Sequence, residues 1–334
     1  MKDALSLARA LCDPGSVGRL DARGWTALIA AARAEQLIGT LAYRLKGLAI
    51  PDAAERVLAD ARASAEHWRR SALWEAEAAR RALGPLDCSV ILLKGTAFAA
   101  AGLDAGAGRA IGDLDILVPR DRLDDVERAL LEAGWEWVKP DPYDDAYYRR
   151  WMHELPPLIH RERDRMIDVH HTILPPTARI TPDAAALIED SVALQNGLRV
   201  LSPPDMICHA VTHLFADGDL SGGLRNLWDI DRLLREYRND AVVWEALPRR
   251  AERHGIAREF ARAMRLTERL FGSPIPVVSK RGALDPFYVR RLAARDGWGR
   301  ETRKGLRLAF YARSHWLRMP PLMLAEHLWR KARR

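Results

Sequence analysis

Apolar residues in the first part of the chain recur at spacings of three and four, which is typical of helices that pack on one face. The spacing is clearest between Trp25 and Leu45. Pro51-Asp52 opens a further helix through Trp68 and Trp74, and Gly84-Pro85 interrupts it. The pattern therefore predicts an N-terminal helical region over residues 1–83.

The next hundred residues alternate between strand-like and helix-like patterns. The predicted order is a strand at 90–93, a helix from Thr96, a strand at 113–118, a helix at 122–133 and a strand at 135–138. Residues 139–150 show no clear pattern, and 153–160 with 166–173 read as a hairpin turning at 161–165. Pro175-Pro176 ends this α/β core, which we place at 84–178.

The remaining residues, 179–334, are predicted to be helical. Ser202-Pro203-Pro204-Asp205 combines an N-cap serine, an early proline and an acid in the first turn, so a helix should begin there. A second helix is expected over 224–234, and the rest is helical to a basic amphipathic tail. The expected fold class is α+β, with a small mixed sheet between N- and C-terminal helical regions.

Composition agrees with a helical globular protein, since 48% of the 334 residues are hydrophobic. The three cysteines show no metal-binding or disulfide spacing, and the sequence shows no signal-peptide pattern and no apolar run long enough to span a bilayer. We therefore expect a cytoplasmic protein.

The net charge of +7 is concentrated at one end of the chain. Residues 290–334 hold thirteen Lys or Arg and three Asp or Glu, a net +10, so the other residues sum to −3. The overall basicity therefore describes the tail and is weak support for nucleic-acid binding by the rest of the chain.

The segment Gly112-Asp113-Leu114-Asp115-Ile116 carries the most informative chemistry. Because side chains alternate along a strand, Asp113 and Asp115 should lie on one face and the apolar residues on the other. Asp168 alternates in the same way with Ile167 and Val169. Three carboxylates of this kind can hold Mg²⁺, most simply two ions, with Mn²⁺ as an alternative. Asp113, Asp115 and Asp168 are therefore the predicted metal-binding and catalytic residues.

Residues around this motif could hold phosphate. The Lys94-Gly95-Thr96 turn follows an apolar strand and precedes a helix, so it can offer backbone N–H groups, a hydroxyl and a point charge. Arg109 could clamp phosphate, or it could be an ordinary solvated arginine. His170 shares a face with Asp168 and could orient that carboxylate or contact substrate.

Other motifs give less support. His209 and His213 are four residues apart, but no Glu lies between them in the sequence and no third metal ligand is evident. An interdomain contact is therefore a simpler interpretation than a zinc site. The sequence contains no G-x-S-x-G elbow, no P-loop and no G-x-G-x-x-G fingerprint.

At these residues the chain resembles the uncharacterised bacterial nucleotidyltransferases of the DNA polymerase β superfamily. The matching motifs are 93–95, Arg109 with 112–118, and 167–170, and the segment 224–230 also looks familial. Members usually have Gly-Ser after the first strand, where this chain has Gly95-Thr96 and so keeps a hydroxyl. The resemblance implies a polymerase β-like fold, dependence on Mg²⁺ and an NTP, most simply ATP, and an unidentified acceptor.

Three functions fit these observations. The first is a nucleotidyltransferase that modifies a small molecule, a peptide or a protein. The second is an RNA-tailing enzyme, although the tail interleaves its charges with apolar residues such as Trp316 and Trp329 and matches no known RNA-binding module. The third is a non-catalytic binding or regulatory protein whose tail docks on an anionic membrane or a partner.

Overall fold

The computed structural model describes residues 4–139, 141–276 and 282–320. The end of the predicted basic tail, residues 321–334, lies outside the described residues. Within them, no helix combines the length and the apolar character that a membrane span requires.

Helices dominate both ends of the described part of the chain. The N-terminal helices are α1 (Leu5–Cys12), α2 (Ala22–Ala34), α3 (Ile38–Arg44) and α4 (Asp52–Leu83). The central helices are α5 (Lys94–Ala100), α6 (Leu123–Glu132), α7 (Pro142–Trp151) and α8 (Ala184–Glu189). The later helices are α9 (Pro203–Thr212), α10 (Gly223–Glu236), α11 (Ala241–Arg253), α12 (Ala257–Phe271), α13 (Asp285–Leu292) and α14 (Lys304–Arg318).

The strands are short and belong to one mixed sheet. They are β1 (Ile91–Leu92), β2 (Leu114–Leu117), β3 (Trp135–Trp137), β4 (Leu158–His160), β5 (Met166–His170), β6 (Val192–Ala193) and β7 (Arg199–Val200). The order across the sheet is β3-β4-β5-β2-β1-β7-β6, with β2 parallel to β5 and β1 parallel to β7. The remaining neighbours are antiparallel.

The predicted helices and strands of the first 178 residues are largely confirmed. The helix α4 begins directly after Pro51, and the hairpin pairs Leu158 with Ile167. Two details differ from the prediction. The helix expected from Thr96 already begins at Lys94, and the unassigned stretch before His153 contains α7.

Strands β6 and β7 were not predicted, and they extend the sheet beyond residue 178. Each has two residues, which is too short to show a periodicity of two. The division of the chain into three regions stays a prediction.

The apolar faces of sheet and helices form one continuous core. Ile116 and Leu117 of β2 are fully buried, as is Leu58 of α4, and Leu227 and Ile230 of α10 are buried in the same core. The helix α9 begins as predicted, because the Ser202 side chain accepts a hydrogen bond from the backbone N–H of Asp205. This core fixes the positions of β2, β5, α5, α9 and α10, which supply the residues of the candidate site.

Candidate active site

Asp113, Asp115 and Asp168 come together at the pairing of β2 with β5. Asp115 lies opposite Asp168 in the parallel register, and Asp113 directly precedes β2. One carboxylate oxygen from each residue lies within 4.8 Å of the other two. The structure thus brings together the three aspartates named from the sequence, and this arrangement can hold a metal ion.

The three carboxylates differ in their exposure to solvent. Asp113 is exposed, Asp168 is partly buried, and Asp115 is only 4% exposed. A buried carboxylate needs compensating partners, because desolvation of an unpaired charge costs several kcal/mol. Asp115 has two such partners.

These partners are Lys94 and His170. Lys94 Nζ donates to Asp115 Oδ1 at 2.6 Å, and His170 Nε2 lies 3.0 Å from the same oxygen. Burial favours the neutral carboxyl, but the charge of Lys94 and the hydrogen bond from His170 outweigh it and hold the pKa of Asp115 well below its ordinary range. Asp115 is therefore ionised and fixed in position.

The pKa of Asp168 is shifted in the opposite direction. Burial, followed by the negative charges of Asp115 and Glu154, raises the pKa of Asp168 to about 7. Carboxylates crowded in this way repel one another, and a bound cation relieves that repulsion. An all-carboxylate donor set suits a hard divalent ion such as Mg²⁺ or Mn²⁺, so the residues present fit the expected metal.

Lys94 occupies a special backbone position. Its φ of +49° lies in the left-handed region, which side chains other than glycine rarely adopt. The backbone N–H of Leu93 donates to the carbonyl of Asp115 at 3.0 Å, so the turn is tied to β2. The Lys94 side chain contacts a carboxylate, where the sequence suggested a contact with phosphate.

Gly95 provides space for Arg109. A Cβ added at Gly95 would lie 2.6 Å from Arg109 Nε and 3.2 Å from Ile111 Cγ1. The Arg109 guanidinium forms an ion pair with Asp229 of α10, and Arg225 Nε lies 3.3 Å from the same carboxylate. Arg109 is therefore anchored rather than solvated, and a side chain at position 95 would displace it from its present position.

Thr96 is the third residue of the predicted phosphate turn. It is 1% exposed, and its hydroxyl has no hydrogen-bond partner within the described part of the chain. Buried hydroxyl groups are normally paired, since leaving one unpaired costs about 1–3 kcal/mol. A ligand that reached this hydroxyl would satisfy it.

A cleft opens next to these residues. It is small, with a cavity volume of about 20 Å³, and its lining includes Lys94, Arg109, His209, Asn226 and Asp229. Burial lowers the pKa of His209 well below its ordinary value, so this imidazole is neutral at physiological pH. The two histidines noted in the sequence, His209 and His213, thus lie at the wall of the candidate site.

Comparison with known families gives a match over most of the chain. The model of a family described as an uncharacterised nucleotidyltransferase matches residues 21–272. The chain belongs to this nucleotidyltransferase family. A search of curated proteins gave no match.

The matched region contains the elements that form the site. It begins before α2 and ends just after α12, so it includes the aspartate strands, α5 and the α9 and α10 helices that wall the cleft. The basic C-terminal residues lie after the match. In this nucleotidyltransferase family member, the carboxylate cluster and the cleft are thus parts of one family domain.

Three residues near the site were not identified from the sequence. Glu154 and His153 lie beside His170, and Asp229 pairs with Arg109. Asp229 belongs to the segment that looked familial, and His153-Glu154 begins the predicted hairpin, but both pairings are long-range contacts without a local signal. His170, expected to orient Asp168 or to contact substrate, makes a side-chain hydrogen bond with Asp115.

Proposed function

We propose that the chain is a Mg²⁺-dependent nucleotidyltransferase with a polymerase β-like core. It transfers a nucleoside monophosphate from an NTP, most simply ATP, to a hydroxyl group of a small molecule, a peptide or a protein. The observation that carries this proposal is the cluster of Asp113, Asp115 and Asp168 on adjacent parallel strands, within a chain of this family.

The reaction needs little covalent chemistry from the protein. An acceptor oxygen bonds to the α-phosphorus, the bond from that phosphorus to the bridging oxygen of the β-phosphate breaks, and pyrophosphate leaves. The acceptor proton passes to a base or to solvent. Asp113, Asp115 and Asp168 would hold the divalent ions, which would neutralise charge at the phosphates.

The protein residues orient the reactants. Asp115 is fixed by Lys94 and His170, so the cluster is organised before substrate arrives. Asp168 polarises the attacking hydroxyl. Thr96 supplies its unpaired hydroxyl to a phosphate oxygen, and the start of α5 supplies backbone N–H groups.

Arg109 and the cleft complete the proposed substrate site. Arg109 lines the cleft beside Lys94, where a guanidinium can contact the triphosphate. Its pairing with Asp229 places this charge without the need for a bound nucleotide. The acceptor then enters along the wall formed by His209 and Asn226.

The first experiment is calorimetric titration of nonhydrolysable NTP analogues in the presence and absence of Mg²⁺. We expect Mg²⁺-dependent binding by the wild type and its loss in Asp113→Asn, a change at an exposed residue that preserves the fold. If folded wild-type protein binds none of the four analogues, the non-catalytic alternative replaces this proposal.

A second experiment identifies the acceptor class. Wild-type protein is incubated with α-labelled NTP and either small-molecule extract, protein or RNA, and the label is followed into each fraction. Labelled metabolites or proteins support the proposal, whereas label confined to RNA would favour the tailing enzyme. Thr96→Val tests the phosphate site, since we expect weaker NTP binding with unchanged or slightly higher stability.

A further inference from the structure

A second group of potential metal ligands lies on the other side of His170. The side chains of His153, Glu154 and His170 each offer one ligand atom, and these atoms lie within 4.8 Å of one another. The group contains two imidazoles and one carboxylate, and so differs in chemistry from the three aspartates. Its side chains are 12%, 21% and 3% exposed, respectively.

The backbone holds these residues in place. The segment before β4 runs antiparallel to the end of β5, with Glu154 opposite His170 as an isolated bridge. The N–H of Leu155 donates to the carbonyl of Val169, and the N–H of His171 donates to the carbonyl of His153, each at 2.9 Å. Pairing on both sides of the bridge fixes the relative positions of the three side chains.

The two nitrogens of His170 face two different carboxylates. Nε2 lies 3.0 Å from Asp115 Oδ1, in hydrogen-bond geometry. Nδ1 lies 3.3 Å from Glu154 Oε2, yet it makes no hydrogen bond to any of the described residues. Nδ1 is thus a buried nitrogen that is directed at a carboxylate oxygen.

A divalent cation between these two atoms would be coordinated by both. Ligands about 2.0–2.1 Å from a tetrahedral Zn²⁺ lie roughly 3.3–3.4 Å apart. The separation of His170 Nδ1 and Glu154 Oε2 is 3.3 Å, and that of His153 Nε2 and Glu154 Oε2 is 3.8 Å. The spacing therefore suits a small divalent ion.

The contact with Asp115 is what a metal-binding histidine normally requires. Such a histidine usually donates its other N–H to a carboxylate, which fixes the tautomer and makes the ring a better ligand. We propose that His153, Glu154 and His170 form a binding site for a divalent transition-metal ion of the Zn²⁺ class, separate from the carboxylate cluster and connected to it through Asp115. Imidazole ligands favour such ions over Mg²⁺.

This metal site is not part of the proposed nucleotidyl transfer, but it helps to position Asp115, which is one of the residues proposed to carry out that reaction. Coordination at Nδ1 keeps the proton of His170 on Nε2, and therefore keeps the hydrogen bond to Asp115. The metal at this site acts on Asp115 through His170 and need not touch the nucleotide.

The test uses Co²⁺, which reports its ligands by visible absorption, and needs no nucleotide. Metal-free full-length protein is titrated with Co²⁺ in the presence of excess Mg²⁺, which occupies the carboxylate cluster. We expect one equivalent to bind with the spectrum of a site containing nitrogen ligands, and Zn²⁺ to displace it. His153→Gln and Glu154→Gln should each weaken binding by about 100-fold.

Two controls separate this site from the others. Asp113→Asn should leave the Co²⁺ spectrum unchanged, because Asp113 belongs to the carboxylate cluster alone. His171→Gln should also leave it unchanged, because the His171 ring contacts the carbonyl of Met152 instead. Thermal melting of each variant confirms that it is folded.

Absence of Co²⁺ binding by wild type would overturn the proposal and would leave His170 as a hydrogen-bonding residue only. Binding that survives both changes at residues 153 and 154, or that is lost in Asp113→Asn, would also overturn it. None of these outcomes depends on NTP binding, so a failure of this site is distinguishable from a failure of the nucleotidyltransferase proposal.

Discussion

The two aspartates of the Asp-x-Asp motif should respond very differently to the same substitution. Asp113→Asn and Asp115→Asn each remove one carboxylate from the cluster, so we expect each to reduce nucleotidyl transfer by about 100-fold or more. Their effects on stability should separate, because Asp113 is exposed and Asp115 is 4% exposed and paired with Lys94.

The expected loss of stability in Asp115→Asn follows from the charged groups around Asp115. Removing one member of a buried ion pair costs about 3–5 kcal/mol, because the other charge is left unpaired. Loss of the Asp115 charge also removes its repulsion of Asp168, which raises the free energy of unfolding by on the order of 1 kcal/mol. We therefore expect Asp115→Asn to lower the free energy of unfolding by about 2–4 kcal/mol, and Asp113→Asn to change it by about 0.5 kcal/mol or less.

The assay is urea unfolding in EDTA, followed by the fluorescence of the eleven tryptophans. With a slope of about 3 kcal/mol per molar urea, the midpoint for Asp115→Asn should fall by about 1 M. The double variant Lys94→Met, Asp115→Asn should regain part of this lost stability, because both charges of the ion pair are then absent and none is left unpaired. Equal midpoints for the two single variants would refute the ion-pair reasoning.

Two further predictions each compare one substitution with a matched control substitution. Gly95→Ala should weaken NTP binding several-fold in calorimetry, because the new methyl group displaces the arginine beside it, whereas Gly112→Ala has open space and should bind normally. Asp205→Asn should lower the free energy of unfolding by about 3–5 kcal/mol, because it removes a fully buried charge that both Arg250 and His254 contact. Loss of the exposed partner of Arg250 in Asp190→Asn should cost less than about 1 kcal/mol.

The contribution of Asp205 should also depend on pH. Burial raises the pKa of this carboxyl, but hydrogen bonds from His254, Arg250 and Ser202 outweigh burial and lower it below 3.8. A carboxyl with a lowered pKa stabilises the folded protein above its unfolded-state pKa, and loses that effect as the pH falls through the folded-state pKa. The difference in unfolding free energy between wild type and Asp205→Asn should therefore be constant near neutral pH and shrink below about pH 4.

Much of the site could be predicted because its key residues follow local rules. Alternation along a strand places Asp113 and Asp115 on one side, and the same alternation selects Asp168. Helix starts at Asp52 and Ser202 follow from capping and proline rules, which depend only on neighbouring residues. Local chemistry was thus sufficient for the identity of the carboxylates and for most helices.

The pairings within the site required tertiary structure. Asp115 meets Lys94 across 21 residues and His170 across 55, and Arg109 meets Asp229 across 120. Each pairing depends on the order of strands in the sheet or on the docking of α10. Sequence spacing carries no information about such contacts, so the sequence suggested phosphate as the partner of Lys94, and either phosphate or solvent as the partner of Arg109.

The separation between local and long-range features also bears on substrate choice. The strand motif and α5 supply the carboxylates and the phosphate turn, which are the parts common to any nucleotidyl transfer. The opposite wall of the cleft comes from α9 and α10, through His209 and Asn226. If the acceptor lies between these walls, as the proposed function requires, the sheet determines the chemistry, and helices that lie far from the motif in sequence determine the choice of acceptor.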